Sequence, residues 1–134
     1  MKRFTLVLTL CLTPCLIYSL SIAQDEPVWK FIATLKDDQT GEEHQYFARD
    51  CYRFTDAESE KYPKLSIKST GWKAVKETVE EFDCKNRATR TRIWIHKDDT
   101  EEKEKSPHWA EVVPGSIGEP LFEYACRDRS KEKK

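Results

Sequence analysis

Past its first twenty residues the sequence has no long apolar run, few histidines, no paired-cysteine motif and no marked excess of either charge. No later segment approaches the roughly 20 apolar residues that cross a bilayer, so nothing after the N-terminal segment is expected to span a membrane. The 23 Lys and Arg residues against 24 Asp and Glu leave no basic footprint for nucleic acid. His44, His96 and His108 are widely spaced and lie far from any cysteine pair, so no metal site is expected. Catalytic constellations are missing too. Ser116 has Gly118 after it, but Pro114 stands where a nucleophile elbow needs glycine. Cys84 with His44 or His96 imitates a thiol and its base, yet an exported thiol with an available partner is oxidised. Asp37-Asp38 and Asp98-Asp99 lie in polar stretches without the apolar setting that tunes an acid–base pair. The expectation is a protein that is not an enzyme and carries no cofactor.

What is present begins with an export signal. Met1, Lys2 and Arg3 form a positive start, Phe4 to Leu20 an apolar stretch, and Ser21-Ile22-Ala23 a small-x-small cleavage site. Residues 1–23 therefore read as a secretory signal, and the mature chain should start at Gln24 and lie in the periplasm, on the outer-membrane surface or outside the cell. Removing Lys2 and Arg3 leaves 21 basic and 24 acidic residues, a net charge of −3. The remaining 111 residues suit one domain with a modest core. Of the five cysteines, Cys11 and Cys15 leave with the signal, so Cys51, Cys84 and Cys126 meet an oxidising compartment as an odd set with three possible pairings.

Along the mature chain, Val28 to Lys36 alternates as an opening strand, and Asp37 to Gly41 carries turn residues. His44 to Phe54 is a second strand and Leu65 to Ile67 a short third. Residues 72–84 are ambiguous, because Trp72, Val75, Val79 and Phe82 recur at helical spacing while Val75, Glu77, Val79 and Glu81 would share a strand face. Arg87 to His96 alternates clearly, with Thr91, Ile93 and Ile95 on one face and Arg90, Arg92, Trp94 and His96 on the other. Asp98 to Ser106 is a charge run expected to form a mobile hairpin loop, and Trp109 to Val113 another short strand. Ser116 and Glu119 have the spacing of a capping box, which predicts a helix beginning at Ser116, with Ile117, Leu121 and Tyr124 or Ala125 on one face. Residues 127–134 form a basic tail expected to be disordered.

Trp29 at the opening, an aromatic-rich second strand, the block Phe82-Asp83-Cys84-Lys85-Asn86, the block Trp109-Ala110-Glu111-Val112, and Pro114 to Glu119 running on to Cys126 together resemble the surface-adhesin protein E family across residues 24–126. The resemblance implies an α+β fold, a small antiparallel β-sheet with a C-terminal amphipathic helix tied to it by a Cys84–Cys126 disulfide. It also turns residues 77–84 toward strand. Cys51 is then left as a buried thiol or as the link of a dimer. By function, the resemblance implies a surface adhesin that contacts host matrix or serum proteins, with binding of haem as a second property.

The residues themselves offer one candidate binding face. Arg90, Arg92 and Trp94 would place two guanidiniums beside an indole, a combination suited to carboxylate, sulfate or phosphate. Trp29, Trp72 and Trp109 are expected in the core. The leading expectation is an exported cell-envelope binding module for extracellular proteins, and the alternative is a carrier of a small anionic ligand such as haem.

Overall fold

The computed structural model describes residues 28–51 and 61–128, so the signal reading at 1–23 and most of the basic tail lie outside the described residues. Strand β1 (Lys30–Lys36) turns back into β2 (Glu43–Asp50) through the expected turn. There Asp37 Oδ1 accepts hydrogen bonds from the backbone N–H of Gln39 at 2.7 Å and of Thr40 at 3.2 Å, and Gly41 takes a φ of +73°. The side-chain acceptor replaces backbone partners that the turn removes, and only glycine adopts that φ without strain.

β3 (Lys64–Ser69), β4 (Val75–Asp83) and β5 (Ala88–His96) continue the sheet, every pair antiparallel, in the order β1-β2-β3-β4-β5. Residues 75–83 are thus strand, and the helical spacing around Trp72 has no helix behind it. The outer edge of β5 is shared: β6 (Glu101–Lys103) pairs with Ile93 to Ile95, and β7 (Ala110–Glu111) with Ala88 and Thr89. The charge run expected as a mobile loop therefore contains a strand. All three β6 side chains are exposed, so their charge stays in water while the backbone satisfies the β5 edge.

One sheet face, carrying Ala48, Leu65, Ile67 and Phe82, is covered by helix α1 (Gly118–Ala125) through Leu121, Phe122 and Ala125, with Val112 beside them. Phe82 and Leu65 are fully buried, each worth about 1.5–3 kcal/mol by transfer out of water. The other face holds a smaller cluster of Cys51, Val79, Ile93 and Ile95. Cys51 is unbonded and buried there.

The disulfide joins Cys84 and Cys126 with their Cα atoms 5.7 Å apart. Closing a loop of 42 residues is worth about 4 kcal/mol in the chain-entropy account. The Phe82 to Asn86 block has a local reason to exist. Asp83 Oδ1 accepts from the N–H groups of Lys85 and Asn86, both at 3.1 Å, and Oδ2 from the Asn86 amide at 2.7 Å. These bonds, led by the Asn86 side chain, hold the Asp83 carboxyl below the usual carboxylate range and fix the β4–β5 turn that presents Cys84.

The helix starts later than its motif predicts. Its N-cap is Ile117 and no side chain caps it. Gly115, at a φ of +77°, turns the chain so that Ser116 Oγ donates backward to the Val113 carbonyl at 2.6 Å, which spends the hydroxyl as a donor. Glu119 Oε2 accepts from the Gly115 N–H at 2.9 Å. Ser116 and Glu119 therefore order the turn before the helix and do not form a reciprocal box. At the far end Arg127 is tied back: its guanidinium lies 3.1 Å from Asp50 Oδ2 and 3.8 Å above the Tyr124 ring. Arg127, the first residue of the segment expected to be a disordered tail, is thus held against β2 and the helix.

Candidate functional sites

The Arg90, Arg92 and Trp94 face does not form. A β-bulge opposite Val79 and Glu80 pairs Val79 with Ile93 but Glu80 with Thr91, leaving Arg92 as an extra residue on β5. An inserted residue reverses the alternation beyond it. Arg90, paired with Glu81, shares a face with Ile93 and Ile95, while Trp94 is paired with Thr78 on the opposite face. Arg90 is 8% exposed and donates through Nε to Glu81 Oε2 at 2.7 Å. Arg92 Nη1 reaches the same oxygen at 3.3 Å. The Arg90 guanidinium also lies 4.4 Å from the Trp109 ring centroid, and that ring packs on Tyr62 at 4.8 Å. The two arginines neutralise a fully buried glutamate inside the protein.

On the helix-covered face, where the helix does not reach, lies an open cleft of about 230 Å³. Glu80, Thr89, Thr91 and Trp94 form its floor, with Glu104, Pro107 and His108 along one wall. Burial pushes the Glu80 carboxyl above the usual carboxylate range, against the opposing pull of hydrogen bonding, of which Thr89 Oγ1 provides one bond at 3.1 Å. Trp94 Nε1 faces Glu104 Oε2 at 3.5 Å.

A third region lies where β1, β2 and β3 meet. Trp29 is half-buried rather than core, with the Arg49 guanidinium 4.5 Å and the Lys68 ammonium 4.4 Å from its ring centroid. Phe47 joins it, 5.4 Å from the same ammonium and edge-on to Phe31 at 5.8 Å. Phe31 is 56% exposed and Val28 78%. Sequence reading missed this platform because its cations sit on two strands. The signal was the alternation of Phe47 and Arg49 in β2, which becomes a site only when the pairing of Phe47 with Lys68 is known. Trp72 packs edge-on against Tyr46 beside the main core.

A fourth recess, of about 470 Å³, is lined by Lys61, Tyr62, Pro63 and the Asp83 to Asn86 turn. Among the described residues no group of three or more His, Cys, Asp or Glu could hold a metal ion, and no helix is long and apolar enough to cross a membrane. His44 packs against Gly71, where a side chain would strike its ring, and His96 lies 3.2 Å from Glu102. Comparison with protein-family models, with curated proteins and with solved structures finds no match to this chain.

Proposed function

We propose that this chain is exported and serves as a non-catalytic binding module of the cell envelope, of the surface-adhesin protein E type, that contacts extracellular proteins. The observation that carries the reading is the platform of Trp29, Phe31 and Phe47 flanked by Arg49 and Lys68. Protein interfaces concentrate binding energy in aromatic and arginine side chains, and exposed apolar rings bordered by cations fit a partner with an acidic rim around an apolar patch. The test is binding of whole cells and of the mature chain to a panel of matrix and serum proteins. Lys68→Ala with Phe31→Ala should abolish a signal that the parent gives, since both side chains reach the surface. Equal binding by parent and variant would defeat the platform reading. Export is checked separately: the exported fraction should begin at Gln24, and a mass that retains Met1 would refute it.

The second reading, a carrier of a small anionic ligand such as haem, draws on the recess beside the disulfide, where Lys61 and Lys85 flank Tyr62. Its size falls within the roughly 300–1,000 Å³ typical of ligand pockets. A saturable change in the haem absorption spectrum, lost in Lys61→Ala/Lys85→Ala, would favour it.

A further inference from the structure

Glu80 is half-buried in the floor of the 230 Å³ cleft, and desolvation raises its carboxyl above the usual range. A buried carboxyl normally has a cation or several donors beside it, because desolvating the charge is costly. Here the donors are neutral hydroxyls, Thr89 at 3.1 Å and Thr78 beside it. The cations near β4 are turned to other acids: Arg90 and Arg92 meet at Glu81 on the opposite face, and Arg49 is 3.5 Å from Glu77. Among the described residues Arg90 is the one Lys or Arg that borders the cleft, and its guanidinium is held by Glu81 and Trp109. The cleft thus carries the Glu80 carboxyl, the Trp94 indole and the hydroxyls of Thr89 and Thr91 at its floor and a second carboxyl, Glu104, at its wall.

We propose that this cleft binds an organic ammonium group, its charge set between Glu80 and Glu104 and its carbon stem against Trp94. An ammonium supplies a counter-charge that no ion pair among the described residues gives Glu80, donates N–H groups to carboxylate and hydroxyl oxygens, and is attracted by an indole face within about 6 Å. The space admits a head group and a few carbons rather than a drug-sized molecule. A metal ion is the poorer occupant, since no cluster of three ligating side chains exists among the described residues. Two sources offer this chemistry, a free amine and a lysine side chain on a partner protein. The site lies apart from the Trp29 platform and does not depend on it.

The test is a titration of the mature chain with n-propylammonium, and separately with an unstructured lysine-containing peptide, followed by the NMR signal of the Trp94 indole N–H. Trp94→Phe identifies that signal. The expected result is a saturable shift with a Kd of about 1–10 mM for the amine. A tighter Kd for the peptide assigns the site to lysine side chains, and an equal or weaker one to free amines. Glu80→Gln keeps the shape and the Thr89 contact and should weaken binding about tenfold or more. Glu104→Gln, at the exposed wall, should weaken it less. Circular dichroism and the intact Cys84–Cys126 bond confirm that each variant is folded. Binding should fade as pH falls and Glu80 takes up a proton; the other charged or titratable groups bordering the cleft are Glu104, His108 and Arg90. Glu80→Gln binding like the parent, an acetylated-lysine peptide binding as well as the free one, or no indole shift in the parent would each overturn the proposal.

Discussion

Glu80 and Glu81 are neighbours on one strand, and the sheet sends them to opposite faces with opposite fates. Glu81 is fully buried, and one of its oxygens receives two guanidiniums, at 2.7 and 3.3 Å. Glu80 is half-buried, receives a threonine hydroxyl, and borders a cleft. A charge compensated from within belongs to the architecture. Glu80 instead meets neutral hydroxyls and an open cleft, the arrangement on which the proposal of an ammonium site rests. Pairing with β5 produces the difference, since Arg90 stands opposite Glu81 and Thr91 opposite Glu80.

The comparison breaks most visibly at Glu81. Glu81→Ala should cost about 3–5 kcal/mol, read from denaturant unfolding, because it removes the buried acid that both guanidiniums share. A loss below about 1 kcal/mol, the value of an exposed pair, would show that the triad is not what stabilises this face. Arg92→Ala should cost less, about 1.5 kcal/mol, since it removes one charged hydrogen bond from a side chain that is 23% exposed.

Glu80→Gln should be neutral or stabilising at neutral pH, and the sign follows from its raised carboxyl. A group whose folded pKa exceeds its unfolded value favours folding below the unfolded value, near 4.5, and that contribution is lost as pH rises through the folded value. Stability of the parent should therefore fall over that window relative to Glu80→Gln. Asp37, Asp83 and Asp98, held low by hydrogen bonds within their turns, act oppositely and lose their contribution as pH falls below about 3.8. Parallel pH curves for parent and Glu80→Gln would erase the contrast between the two glutamates. The smallest effect belongs to a third glutamate. Glu119 lies 3.6 Å from Arg87 at the surface, and Glu119→Gln should change stability by less than about 1 kcal/mol.

The hairpins of this sheet were readable where side chains alternate and a turn carries its own acceptor, as from Val28 to Phe47 around Asp37. The charged residues Glu101 to Lys103 were not, because a strand that pairs only through its backbone leaves no apolar period in its side chains. The binding face on β5 failed for one residue. Alternation is a period of two, and Arg92, inserted without any mark in composition, reverses which side chains meet. The disulfide came from resemblance and not from residue arithmetic, which left three pairings open. Glu80 was invisible for a different reason: nothing in a sequence states which of two adjacent acids will find the arginines.

The Cys84–Cys126 bond has a mechanical consequence as well. It encloses β5, β6, β7 and α1 in one covalent ring, while β1, β2, β3 and β4 lie ahead of it. A chain pulled from its two ends would peel the leading strands but pass tension across the sulfur bridge, bypassing the 42-residue segment. At about 3.4 Å per residue, some 140 Å of chain stays out of the extension until the bond is reduced. In a force-extension experiment the contour length released on unfolding should lengthen by about that amount when reductant is added.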